Sequence, residues 1–173
     1  MMHHRSSLIA DRSGSAAVEM ALVLPILLVL MLGAVDVGNY FLSEHVVDKA
    51  TRDAARFAAR LPLADFTGCS VPPGGTAETQ TQKIARYGDP AGTGTARLPG
   101  WTADNMTTVT IVCDDGSSGN SWATNGIYTD FPAGAPVVTV STTVPYNSFF
   151  GSLGFGRLTA NLNAQSQAAV IGA

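Results

Sequence analysis

Glu19 is the side chain whose position asks most for a chemical reason. It stands at the mouth of the apolar run Met20 to Val35, five residues after Gly14, in the stretch Gly14-Ser15-Ala16-Ala17-Val18-Glu19. An acidic side chain at the centre of a membrane helix costs roughly 2.5–3.5 kcal/mol on insertion scales, and less near an end. A chain that keeps a carboxylate there usually has a use for it. The plain alternative is an interfacial residue mildly favoured by the positive end of a helix dipole.

Other reactive residue types are sparse. His3 and His4 lie near the start and His45 in a helical stretch, and no histidine follows position 45. A Ser-His-Asp arrangement in the C-terminal two thirds is therefore not available, and no catalytic residue is nominated. Asp114, Asp115, Asn120 and Asp130 do not match the spacing of a calcium loop and read as a solvated loop. Cys69 and Cys113 are the two cysteines. Outside the cytoplasm a single disulfide is the default for an even count, closing the loop from 69 to 113, with two buried free thiols as the alternative. With no Cys-x-x-Cys and no histidine in that region, no metal site is expected, and no cofactor is implied.

These residues must be positioned by a few elements. Between Glu19 and Asp36 lie sixteen residues without charge, and counting back to Ser15 gives a span of 21 residues, about the 20 needed to cross hydrocarbon. Pro25 falls inside it, removes one helical hydrogen bond and should kink or loosen the helix. Residues 1–14 precede the span with Arg5 and Arg12, which favours an N-terminus on the cytoplasmic side. A secretory signal peptide cut near Ala34 is the competitor, but Leu32 suits the −3 position poorly.

Residues 37–61 continue as an amphipathic helix. Val37, Tyr40, Phe41, Val47, Ala50, Ala54, Phe57, Ala58 and Leu61 form its apolar face, and Glu44, Asp48, Arg52, Asp53 and Arg56 its polar back. Pro62 supplies the stop. The whole helix could run from Ser15 to Arg60, about 69 Å. Residues 62–106 are irregular apart from a helical candidate at Glu78 to Arg86. Three period-2 runs follow: Thr107 to Cys113, Val137 to Tyr146 and Leu158 to Val170. A small antiparallel sheet covered by the amphipathic half-helix is the economical α+β fold. Trp101, Trp122, Phe131, Tyr146, Phe149 and Phe150 are expected in the core or over the sheet, with an exposed adhesive patch as the alternative.

Net charge is −3; the first fourteen residues carry Arg5 and Arg12 against Asp11, a balance of +1, so their removal takes −3 to −4. An acidic domain has no electrostatic footprint for nucleic acid.

The stretch Asp11 to Pro25, continuing through Gly33, Asp36 and Gly38, resembles TadE-type pilus-assembly proteins, minor pseudopilins of tight-adherence (Flp-type) pili. The shared pattern is a glycine, small residues, Val-Glu, an apolar run with an early proline, then glycine and an acidic residue. Met20 departs from it, where members often carry an aromatic residue. The resemblance implies a pilin-like arrangement in which a prepilin peptidase cuts between Gly14 and Ser15. Glu19 then becomes residue five and meets the new α-amino group of a neighbouring subunit. It also implies a cleaved cytoplasmic leader (1–14), a transmembrane helix (15–36) and an extracytoplasmic head (62–173) in the inner membrane. The implied partners are the major Flp-type pilin, other minor pseudopilins, the prepilin peptidase, the inner-membrane assembly platform and lipid, with an assembly ATPase acting from the cytoplasm.

Overall fold

A computed structural model describes residues 14–66, 69, 76–152 and 160–172. The expected leader, 1–14, lies outside the described residues except for Gly14, and so does Leu158. Helix α1 runs unbroken from Ser15 to Ala58 and passes through Pro25. At 1.5 Å per residue, its 44 residues extend about 66 Å. It ends two residues short of Arg60. Its last turn tightens, with Arg60 N donating to Phe57 O and Leu61 N to Ala58 O, because Pro62 disfavours helix at Leu61.

Helix α2 (Ala77–Tyr87) stops at Gly88, whose φ of +79° provides the left-handed cap. Strands β1 (Thr107–Asp114), β2 (Ala135–Pro145) and β3 (Asn161–Ala169) form one antiparallel sheet in the order β1-β2-β3. The short helix α3 (Phe149–Ser152) lies between β2 and β3. The register pairs Val109 with Val140, Ile111 with Val138, and Val144 with Leu162. Alternation along each strand sends these residues to one face, where they are buried. The opposite face carries Thr108, Thr143, Asn163, Gln165 and Gln167, all exposed.

Helix α1 covers the apolar face against β2 and β3, and α2 packs on α1 and β1. The helix meets the sheet through Val47, Ala50, Ala54, Ala55 and Ala58. Four of these five are alanines, so the helix backbone sits close to the sheet. Phe66, Trp101, Leu162 and Val170 fill the remaining core; each fully buried large apolar side chain contributes roughly 1.5–3 kcal/mol.

Three fastenings close the head. Cys69 and Cys113 are joined as a disulfide with Cα atoms 5.8 Å apart. Arg86 holds the segment after α2: Nε donates to Trp101 O (2.9 Å), Nη2 to Thr102 O (2.7 Å) and Nη1 to Asp104 Oδ1 (2.9 Å). Tyr128 Oη donates to Val170 O at 2.6 Å, and Ile171 N to Ala59 O at 2.9 Å, so the chain end caps α1. On the polar back of α1, Asp48 and Arg52 pair at 2.7 Å.

The expected apolar face of residues 37–61 needs correction. Val37 and Phe41 are exposed, and the head-facing stripe is Asp36, Tyr40, Ser43, Val47, Thr51, Ala54 and Ala58. It follows spacings of three and four but starts on an acid, which hydropathy alone assigns to solvent. Of the six aromatics expected in the core, Trp101 and Tyr146 are buried, Phe131 and Phe150 are half-buried, and Trp122 and Phe149 are exposed.

Candidate functional site

The functional residues nominated by sequence lie on the free half of α1. Gly14 is its N-cap, with φ −81° and ψ −16°, and it offers no side chain to bond the first-turn amides. Ser15 is the first helical residue and Glu19 stands one turn on, about 6 Å along the axis. Residues 14–31 are all exposed. Among the described residues Glu19 makes no hydrogen bond or ion pair. Pro25 shares a shallow apolar surface with Ile26, Val29 and Leu30. The helix contains an 18-residue stretch apolar enough to cross a membrane, none of it buried among the described residues.

The structure does not bring Glu19 near the disulfide. The disulfide belongs to the head, and the first helix residue buried by the head is Asp36. Here the structure adds a constellation missed at the sequence level. Asp36 Oδ1 accepts from Phe149 N at 2.7 Å and Oδ2 accepts from Ser148 Oγ at 2.8 Å. The Tyr146 hydroxyl, 2.9 Å from both Oδ1 and the backbone oxygen of Asp36, donates into that pair. Asn39 Nδ2 donates to the same hydroxyl at 3.1 Å, and the Tyr40 ring meets Tyr146 edge-on at 5.2 Å. No cation faces Asp36 among the described residues. Its charge is held by hydroxyl and amide dipoles alone, as a desolvated carboxylate requires.

Two carboxylates thus bracket the free helix and are treated oppositely. Asp36 is engaged by its own head, and Glu19 has no partner among the described residues. The signal that finds Asp36 is its place in the 36–40–43–47 stripe rather than its residue type.

Residues 14–56 match the family model of the TadE-like proteins. The match starts at Gly14 and ends two residues before α1 does, so it takes in the free half, Glu19, Pro25 and Asp36, and leaves the head unmatched. The TadE-like family is one of pilus-assembly proteins rather than enzymes. No curated protein and no solved structure matches the chain significantly. The matched segment is α1 with its N-cap, and among the described residues no group of three or more His, Cys, Asp or Glu could hold a metal ion. What it can do chemically is bury apolar surface against other helices or lipid and present one carboxylate while doing so.

Proposed function

We propose that this protein is a minor pseudopilin, anchored in the inner membrane by the first half of α1 and built into or onto a tight-adherence pilus by lateral packing of that helix. The observation that carries the proposal is an apolar stretch within the TadE-like match that no described residue covers, with one carboxylate, unpaired among the described residues, a single turn from the start of α1. A prepilin peptidase cuts between Gly14 and Ser15. The Ser15 amine created on one subunit then meets Glu19 of its neighbour. Such a pair is desolvated, so its gain over water is small; its value lies in register and order of addition. Pro25 and the apolar surface around it pack against the major Flp-type pilin or sibling pseudopilins. The peptidase and the assembly platform handle the chain in the membrane, and the head faces the periplasm or exterior.

N-terminal sequencing of the mature protein tests the first step: a start at Ser15 is expected. An intact leader, or a start near Val35, indicates a signal-anchored periplasmic module outside any filament. The second test is Glu19→Ala. The variant should insert into the membrane as the parent does and fail to enter pili; normal incorporation overturns the pairing role.

A further inference from the structure

The register between the free helix and the head carries one more step, which rests on α1 spanning a bilayer. Residues 15–35 cover about 31 Å of helix, the thickness of the hydrocarbon core. Asp36 is the first residue the head buries. The head therefore begins where the hydrocarbon ends, with no intervening stalk. What the head presents at that level is the segment after β2, because Tyr146, Ser148 and Phe149 are the groups that grip Asp36.

This level presents apolar and aromatic side chains beside the exposed amides Asn39 and Asn147. Phe149, whose own amide bonds Asp36, keeps 44% of its surface exposed. Val37 and Phe41 on α1 are exposed too. Asp36 to Phe41 rises about 8 Å, close to the depth of one headgroup layer. Among the described residues of these two segments positive charge is absent: there is no Lys or Arg between Pro145 and Ser152, and the first on α1 past Asp36 is Lys49, about 20 Å higher. An acid at a membrane boundary ordinarily needs water. Asp36 has its donors from the head instead, so this junction can sit against lipid without leaving the carboxylate bare.

We infer that the Phe149 turn, together with Val37 and Phe41, seats the head directly on the outer boundary of a phospholipid bilayer. The Asp36 contacts lock that pose. The contact is apolar and interfacial rather than electrostatic, which aromatic residues at the headgroup level favour.

The test uses the full chain in phosphatidylcholine vesicles, with Phe149→Trp as reporter and lipids brominated high on the acyl chain as quencher. Trp101 is 1% exposed in the core, and Trp122 lies beside Val137 and Thr139, roughly 20–26 Å of strand from Pro145, so both are silent controls. The parent protein should be barely quenched. The variant should lose at least half of its added emission, and should do so equally when phosphatidylglycerol replaces part of the phosphatidylcholine. Protein that floats with the vesicles while the added tryptophan stays unquenched overturns the seating and leaves the membrane anchor standing. Quenching that needs the anionic lipid overturns the apolar mode. Failure of the parent chain to float removes the anchor itself, and the seating with it.

Discussion

Replacing Asp36 by alanine removes the acceptor used by two donors, Ser148 Oγ and Phe149 N. Tyr146 is affected less, because its hydroxyl keeps the Asp36 backbone oxygen and Asn39 Nδ2. Hydrogen bonds to a charged acceptor contribute about 1.5–3 kcal/mol each, so the three side-chain contacts sum to roughly 5–9 kcal/mol before offsets. Against this stands the cost of holding a carboxylate out of water without a cation, several kcal/mol, which the alanine recovers. The net loss is about 2–3 kcal/mol. For a chain of this size that is a fall in Tm of about 4–12 °C. Asp36→Asn keeps the shape and one acceptor oxygen, and Ser148 can turn its hydroxyl to accept from the new amide; its loss should be about 1 kcal/mol. The assay is thermal or urea unfolding of the full chain in detergent micelles, read by Trp101, which sits in the core beside the sheet. If alanine and asparagine variants both match the parent within about 0.5 kcal/mol, Asp36 is a surface residue in solution and the junction argued from it is wrong.

Other parts of the head give independent checks. Cys69→Ser with Cys113→Ser should destabilise by about 4 kcal/mol in the chain-entropy account of a loop this long, and intact mass under non-reducing conditions should show the bond in the parent. Gly134 has φ of +83°, and a Cβ there would run into the Asp114 carbonyl; Gly134→Ala should cost more than about 2 kcal/mol. Gly119, at φ +85° with open space around it, is the control, and its alanine should cost about 1 kcal/mol, strain without collision. Burial raises the Tyr128 hydroxyl above its usual value near 10. The folded state holds that proton more tightly, so its stability contribution is complete below pH about 10 and drains away as pH rises through the folded value. Tyr128→Phe should flatten that alkaline loss in urea titrations while lowering stability at neutral pH, because Val170 O loses its donor.

The regular elements were legible because each carries its own period. The candidate at Glu78 to Arg86 is α2 to within a residue at either end, and β1 and β2 start and stop within two residues of the alternating runs. Val109, Ile111, Val138, Val140 and Val144 line up on the buried face because β-branched residues at every second position leave little choice. The pairing of Cys69 with Cys113 followed from there being only two. What escaped depends on contacts between distant parts of the chain. Asp36 and Ser148 are 112 residues apart, and no window contains both. Arg86 is ordinary in sequence, and only the fold lays Trp101 O, Thr102 O and Asp104 around its guanidinium. Trp122 and Phe149 look like core because aromatics usually are, yet both lie in connections that leave them near the surface.

Glu19 and Asp36 lie seventeen residues apart on one helix, about 25 Å along its axis. If each serves the partner assigned to it, their substitutions separate completely. Asp36→Ala acts within one chain, so it lowers the unfolding midpoint of the isolated protein whether or not pilus components are present. Glu19→Ala removes a group that bonds no described residue of its own head, so the midpoint stays within about 0.5 kcal/mol of the parent and only incorporation fails. In the double variant the midpoint should fall by the Asp36 amount alone, since groups this far apart with no shared partner add independently. A Glu19 substitution that lowers the midpoint of the isolated chain would mean that the free half of α1 folds back on its own head. That would contradict the uncovered helix on which lateral assembly depends.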